Sequence, residues 1–161
     1  MRPLVHLRAA TLDDTEFLAA VYAATRAEEL AATDWSAAQK AEFCRMQFTA
    51  QDSHYRQHYP TAEYCVIEVS RIPVGRLYVD RWKREIRIMD IAILPQHRSN
   101  GIATHLLEGL QNEAASTSRS LSIHVERFNP ALRLYQRLGF QITEDKGVYQ
   151  LMEWTPAGGL K

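Results

Sequence analysis

The sequence predicts a single mixed α/β domain, and three observations support that prediction. A chain of 161 residues is long enough for one hydrophobic core and too short for two ordinary domains. Segments with apolar residues at helical spacing alternate with segments rich in β-branched and aromatic residues. Apolar residues make up 46% and charged residues 24% of the chain, which is typical of a protein that buries a core.

The charge and the cysteine content narrow the function classes. The formal net charge is zero and basic residues form no run, so we expect neither nucleic acid nor an anionic membrane as a partner. The N-terminus lacks the basic-then-apolar form of a secretory signal. Cys44 and Cys65 lack a metal-ligand spacing, so we expect reduced thiols of a cytoplasmic protein without a metal, a lone disulfide being the alternative. The oligomeric state stays open, with a homodimer as one option.

The first third of the chain predicts one strand and two helices. Residues 5–8 form the strand. Capping-box patterns at residues 11–14 and 36–39 begin the helices, since in each a side chain three residues on can satisfy free backbone N–H groups. Apolar residues then recur at helical spacing, and the first helix fades near residue 30 while the second continues toward residue 55.

The middle of the chain changes to strands. Residues 64–69, 74–82 and 85–94 are rich in β-branched and aromatic residues and are separated by turn chemistry, which predicts an antiparallel meander. A loop follows, and a helix is predicted over residues 101–115. We expect the basic residues of the meander to lie on a solvated face, with contact to an acidic ligand as the alternative; they are Arg71, Arg76, Arg81, Lys83, Arg84 and Arg87.

The last third predicts a strand, a helix and a hairpin. Residues 121–125 alternate apolar and polar, which is typical of a half-buried strand. Asn129-Pro130 is typical of an N-cap followed by a first-turn proline, so a helix is predicted to begin there and to end at Gly139. Residues 140–143 and 148–154 form the hairpin, and residues 156–161 are expected to be a frayed tail of the same domain.

The loop between the third helix and the strand before it is the most informative stretch. Residues 93–103 read Ile-Leu-Pro-Gln-His-Arg-Ser-Asn-Gly-Ile-Ala, which is a strand end, a basic loop and a helix N-terminus. Free N–H groups and the helix dipole at such a point attract an anion. Gly101 and Ala103 lack bulk and Arg98 adds positive charge, so the loop suits a phosphorylated ligand. It lacks the P-loop and dinucleotide patterns, and a glycine that merely eases a turn is the alternative.

A second motif makes this loop more specific. Residues 129–140 contain Asn129, then Leu134-Tyr135, then Gly139-Phe140, one helix and one strand after Arg98, Gly101 and Ala103. With both motifs in this order, the chain resembles the GNAT superfamily of N-acetyltransferases. The resemblance covers the element order of essentially the whole chain and is strongest over residues 85–140. It implies a central, mostly antiparallel mixed sheet with a splayed strand pair at the cofactor site, flanked by about four helices.

The resemblance implies acetyl-CoA as the cofactor. Its pyrophosphate would lie on backbone N–H groups of the loop, and its pantetheine arm would pair like an added strand with an edge opened by a bulge. Asn129 would reach the pantetheine, and its role as an N-cap is a compatible alternative. Many family members carry Gly where this chain has Ser99, and we expect Asn100 to take up the left-handed conformation that the turn needs. The implied cofactor residues are Ile91, Ala92, Ile93, Arg98, Ser99, Asn100, Gly101, Ile102, Ala103, Thr104, Asn129 and Tyr135.

The resemblance also implies catalytic roles. Tyr135 matches the family's usual general acid, which protonates the departing CoA thiolate; the alternative is a purely structural aromatic. His124 is the first candidate base, because it stands where ribosomal-protein N-terminal acetyltransferases carry a catalytic Glu and because imidazole titrates near neutral pH. An exposed residue without a role is the alternative for His124. Asp90 is the second candidate base, and a pair with a nearby arginine is its alternative.

The acceptor is less clear from the sequence. In the family, the segment joining the first two helices lines the acceptor site, and here it includes Glu28, Glu29 and Trp35, a set suited to a cationic amine. Gln51 and Tyr55 on the second helix add polar contacts. The implied function is acetyl transfer to a primary amine of a small molecule, amino acid or peptide, by direct attack in a ternary complex. The alternative is an acyl-CoA-binding regulatory module without turnover.

Overall fold

Strands and helices alternate along the chain much as the sequence predicts. The structure is a computed structural model, and it describes residues 4–157. The helices are α1 (Thr15–Ala31), α2 (Ala37–His58), α3 (Ile102–Ser116) and α4 (Leu132–Arg137). The strands are β1 (Val5–Ala9), β2 (Glu63–Val69), β3 (Ile72–Arg81), β4 (Glu85–Ile93), β5 (Ser120–Glu126), β6 (Gln141–Asp145) and β7 (Tyr149–Trp154).

One sheet contains all of these strands. Its order is β1-β2-β3-β4-β5-β7-β6, and each neighbouring pair is antiparallel except β4 and β5, which are parallel. The parallel pair is reached through α3, as a crossover connection requires. The predicted mixed and mostly antiparallel sheet with four flanking helices is therefore confirmed.

The parallel strands β4 and β5 separate about half-way along their length. Pairing runs from Glu85 with Ser120 to Ile88 with Ile123, and no further pair follows. At the same level the register with β3 shifts, so that Met89 is an extra residue of β4. A bulge of this kind bends a strand and increases its twist. The predicted splayed pair is thus confirmed, and the bulge lies directly before the edge residues 91–93.

The two faces of the sheet are covered by different helices. Neighbouring residues of a strand point to opposite faces, and in β2 Val66 packs with α1 and α2 while Ile67 packs with α3. The smaller cluster is formed by Leu18, Tyr22, Phe48 and Val66. The larger one is built around Ile67, Leu77, Ile86, Ile88, Leu106, Leu107, Leu110, Leu121 and Met152. The opening between β4 and β5 therefore lies between two packed layers.

The helix starts confirm both predicted capping boxes. The Thr11 backbone N–H donates to the Asp14 carboxylate at 2.8 Å, ahead of a short 3-10 turn that leads into α1. At α2, the Ser36 N–H donates to Gln39 Oε1 at 2.8 Å and the Gln39 N–H donates to Ser36 Oγ at 3.1 Å. Side chains thus satisfy N–H groups that a helix start leaves free.

Two expectations from the sequence are wrong in detail. The helix predicted to begin at Asn129-Pro130 begins at Leu132, because those two residues form a turn in which Asn129 Oδ1 accepts from the Ala131 N–H at 2.8 Å. The strand predicted to be half-buried is covered on both faces. Ser122 in β5 is fully buried, since it lies against the side chains of Glu85 and Arg87.

Other expectations concern the cysteines, membrane spans, metal sites and the C-terminal tail. Cys44 and Cys65 are free thiols. No helix within residues 4–157 is long and apolar enough to cross a membrane. No group of side chains in the same range could hold a metal ion. Of the tail predicted to be frayed, residues 158–161 lie outside the described residues.

Candidate functional site

The loop that leads from β4 into α3 turns through two left-handed residues. Ser99 has a φ of 66° and Gly101 a φ of 75°. The expectation that Asn100 takes up this conformation is wrong; the non-glycine residue that bears the cost is Ser99. Arg98 Nε donates to the Ile93 carbonyl at 3.0 Å, which holds its side chain against the end of β4.

The N-terminus of α3 is open toward this loop. The helix has no side-chain cap, so the N–H groups of Ile102, Ala103 and Thr104 have no acceptor among the described residues. A Cβ built at Gly101 would meet no atom within 4 Å, so the space beside this residue is clear. Three converging N–H groups at a helix N-terminus fit a phosphate, and this region therefore suits the pyrophosphate of acetyl-CoA.

The free edge of β4 lies next to this loop along the chain. Residues 90–93 have no strand partner on the β5 side within the described part of the chain, while their other side pairs with β3. Gly75 of β3 lies so close that a Cβ there would come within 2.2 Å of the Ala92 carbonyl oxygen. This packing holds the edge at residues 91–93 in place, and an extended arm can add to such an edge through backbone hydrogen bonds alone.

Tyr135 combines a buried ring with a free hydroxyl. The residue is 4% exposed on α4, and its ring packs edge-on against Phe140 with centroids 5.7 Å apart. Its hydroxyl makes no hydrogen bond with any residue in 4–157. Burial, and then the negative charge of Asp90, raises the pKa of the Tyr135 hydroxyl above its ordinary value. The group is therefore protonated and able to donate at neutral pH.

Asp90 has the arginine partner that the sequence offered as its alternative. Arg76 of β3 is 1% exposed, and its Nη2 forms an ion pair with the Asp90 carboxylate and donates to Gln51 Oε1 at 3.0 Å. Gln51 thus contacts the ion pair. The prediction of a solvated face is wrong for Arg76, because alternation within a central strand turns it into the layer between the sheet and α2.

His124 is held between two cations. It is the first residue of β5 beyond the last pair with β4. Arg87 Nη1 lies 3.3 Å from its Nδ1, and Lys146 Nζ lies 3.2 Å from its Nε2. Burial, and then the charges of Arg87 and Lys146, lower the pKa of His124 below its ordinary value, and the carboxylates of Glu144 and Glu85 offset this only in part. The imidazole is therefore neutral at pH 7, as a general base must be.

A groove of ≈ 420 Å³ lies beside this histidine. Its walls come from the end of α2, the splayed part of β4, β5 and the turn between β6 and β7. The lining residues are Tyr55, Tyr59, Arg87, Ile88, Met89, His124, Lys146 and Tyr149. Tyr55 is thus placed in the groove, and its hydroxyl lies 3.4 Å from the Met89 carbonyl oxygen.

The other predicted acceptor residues lie elsewhere. Glu28 and Glu29 are exposed on α1, and Glu29 pairs with Arg26. The Trp35 ring packs edge-on against Phe43 at 5.2 Å. None of these three lines the groove, so the structure does not bring an acidic wall to it. Arg87 and Lys146 were missed as site residues, because nothing near them in the sequence marks them as neighbours of His124.

Known protein families and solved structures resemble this chain in sequence pattern and in fold. A family model described as an acetyltransferase (GNAT) domain matches residues 60–142. No curated protein matches the chain in sequence. Many solved structures match it in fold.

Three of these structures illustrate the likeness. PaiA N-acetyltransferase from Thermoplasma acidophilum, in complex with coenzyme A, matches 94% of this chain and 99% of its own with a TM-score of 0.72 and 14% identity. An acetyltransferase from Thermus thermophilus matches 97% and 100%, with a TM-score of 0.70 and 18% identity. Arabidopsis thaliana Naa50, bound to the bisubstrate analogue CoA-Ac-MVNAL, matches 94% and 99%, with a TM-score of 0.62 and 16% identity. At these identities the likeness establishes a shared fold.

Proposed function

Since the chain belongs to the GNAT family of acetyltransferases, we propose that it moves an acetyl group from acetyl-CoA to a primary amine by direct attack in a ternary complex. The observation that carries the proposal is the opening between β4 and β5. Residues 98–104, which we call the cradle, follow the end of β4 and offer free N–H groups to an anion. The edge of β4 is free to pair, and Tyr135 and His124 supply an acid and a base.

The donor site uses backbone more than side chains. The N–H groups of residues 102–104 would hold the pyrophosphate, and the loop from Arg98 to Gly101 would surround it. The edge at residues 91–93 would pair with the pantetheine arm, and Asn129 would also contact that arm. When bound, acetyl-CoA supplies a thioester carbonyl that an amine can attack.

The chain's own residues then move two protons. The neutral imidazole of His124 accepts a proton from the amine as its nitrogen forms the new bond to carbon. The protonated hydroxyl of Tyr135 donates to the sulfur as the carbon–sulfur bond breaks. Asp90 remains the second candidate base, and its pair with Arg76 gives it a further role in holding the site together.

The acceptor is proposed to be a small molecule or a peptide that presents a primary amine in the groove. The groove opens beside His124, where the amine has to lose its proton. For Naa50, a bisubstrate analogue that joins CoA to a peptide has been seen bound. That complex illustrates one acceptor class that this fold accommodates.

Calorimetry with acetyl-CoA, followed by a screen for CoA release, tests the proposal. We expect saturable binding of acetyl-CoA and release of free CoA with at least one amine from a panel of amino acids, peptides and polyamines. Absence of binding at millimolar acetyl-CoA would rule out the proposed donor site. Saturable binding without release across the whole panel would instead identify an acyl-CoA-binding regulatory module.

A further inference from the structure

The charge in the groove points to the kind of acceptor it takes. The lining that belongs to residues 4–157 includes two cations, Arg87 and Lys146, and no carboxylate. Asp90 follows the groove residue Met89 in β4, but its charge is engaged by the buried Arg76. Arg87 is likewise paired with Glu85, so Lys146 is the cation of this lining that has no carboxylate partner among residues 4–157. A site for a polyamine would be expected to present acids, so this lining favours the opposite charge on the ligand.

Two cationic donors, Arg87 and Lys146, face the ring of His124, which offers them at most one acceptor nitrogen. A neutral imidazole has one N–H and one acceptor nitrogen, so it can accept from Arg87 or from Lys146 but not from both. Protonation of the ring would remove the remaining acceptor and place three positive charges together. In each protonation state at least one cation lacks an acceptor on His124, and an anionic group in the groove would provide one.

The two cations differ in how they are held. Arg87 has a side chain 14% exposed; its Nη2 donates to Glu85 at 2.9 Å, its Nε donates to Ser122 at 2.8 Å, and its guanidinium lies over Trp82. Lys146, on the turn between β6 and β7, has no carboxylate partner in the described part of the chain. Arg87 is thus a positioned charge, and Lys146 is the cation free to bind an incoming carboxylate.

We propose that the acceptor is an amino acid whose free carboxylate binds Lys146, beside Arg87, while its amine reaches His124. The proposal rests on the proposed function and specifies its substrate class. The groove volume of ≈ 420 Å³ and the walls of Tyr55, Tyr59 and Tyr149 suit a small molecule of this size. A positive site also disfavours the ammonium form of the acceptor and so favours the neutral amine that attacks.

Pairs of acceptors that differ only in the carboxylate test whether the groove recognises that group. Free amino acids and their uncharged carboxamides are compared by CoA release, with spermidine and a peptide that has an acidic second residue as further arms. We expect kcat/KM for the amino acids to exceed that for the carboxamides at least about 10-fold. Equal values for both, or a preference for spermidine or for the peptide, would overturn the proposal.

Variants of Lys146 test whether this residue causes the preference for a carboxylate. In Lys146→Gln we expect the preference for the carboxylate to fall toward unity, mainly through KM, while the Kd of acetyl-CoA stays unchanged. Lys146→Glu should reverse the preference. Lys83→Gln is the matched control, because Lys83 is exposed on the turn between β3 and β4 and does not line the groove. An unchanged preference in Lys146→Gln would contradict the assignment.

Binding of a product separates this proposal from the proposed function. An N-acetyl amino acid and its carboxamide are titrated into the protein, and the ring signals of His124 are followed by NMR. Preferential, Lys146-dependent binding of the acid without any turnover would contradict the proposed acetyltransferase activity but support the carboxylate site. Turnover without any preference for the acid would support the activity but contradict the carboxylate site.

Discussion

Arg76 and Asp90 form an ion pair between neighbouring strands, directly beside the point where β4 leaves β5; the arginine is buried and the aspartate is partly exposed. Asp90 follows the bulge residue Met89, so the pair fixes the first residue of the free edge. The Arg76 guanidinium also lies 4.9 Å from the centre of the Tyr78 ring. This relationship joins the core of the sheet to the proposed site.

Breaking that pair should lower the protein's stability. Arg76→Met leaves the Asp90 carboxylate, 21% exposed, without its partner, and we expect the free energy of unfolding to fall by about 1–3 kcal/mol. Arg127→Met is the control, because the Arg127–Asp145 pair is exposed to solvent and should contribute little to stability. Urea unfolding of both variants measures the difference. Similar losses in the two variants would contradict the role given to Arg76.

His124 should titrate below the ordinary imidazole value of 6.5. The cause is burial, followed by the charges of Arg87 and Lys146, which oppose protonation of the ring. Because the lowered pKa keeps His124 neutral at pH 7, loss of the base is expected only as the pH falls through that lower value. NMR titration of the ring measures it, and Lys146→Gln should move it upward. A His124 pKa at or above 6.5 would contradict this account.

Tyr135→Phe should lower kcat while leaving binding and folding intact. The substitution removes only the hydroxyl, which makes no hydrogen bond within residues 4–157, and keeps the ring that packs on Phe140. Loss of a general acid should reduce kcat about 100-fold or more. Steady-state CoA release gives kcat, and calorimetry gives the Kd of acetyl-CoA as the control. An unchanged kcat would exclude Tyr135 as the acid.

Replacing Ser99 with glycine should strengthen the cradle. Ser99 has a left-handed backbone, which costs a non-glycine residue about 1 kcal/mol or more, and glycine removes that cost at some expense in chain entropy. We expect Ser99→Gly to stabilise the fold by about 0.5 kcal/mol and to tighten acetyl-CoA binding. Ser118→Gly is the control, since Ser118 is also left-handed but follows the far end of α3. Tighter binding in both variants would argue against a local effect.

Two glycines should respond in opposite directions to alanine. In Gly75→Ala the new Cβ would lie 2.2 Å from the Ala92 carbonyl oxygen, so β3 and β4 must separate and stability should fall by about 1–3 kcal/mol. In Gly109→Ala the Cβ meets no atom within 4 Å, and the helix α3 should gain about 1 kcal/mol. Thermal unfolding measures both. A gain in stability for Gly75→Ala would contradict the close approach of the two strands.

Local chemistry made most of the fold predictable. The capping pairs Ser36–Gln39 and Thr11–Asp14 act over three residues, so a helix start can be predicted without knowing the rest of the structure. The glycine and the free N–H groups of the cradle are likewise properties of a few consecutive residues. Where the prediction was wrong, as at Ser99 and at the start of α4, the choice lay between neighbouring residues of one turn.

The sequence by itself therefore determined the order of the elements, the cradle and the family resemblance, because each depends on spacing along the chain. Only the tertiary structure decided which charges surround His124 in the groove. Arg87 and Lys146 lie 37 and 22 residues from His124, and they meet it because β5 lies between β4 and β7 in the sheet. Contacts at such separations depend on which strands become neighbours in the sheet, and residue spacing along the chain does not specify that order.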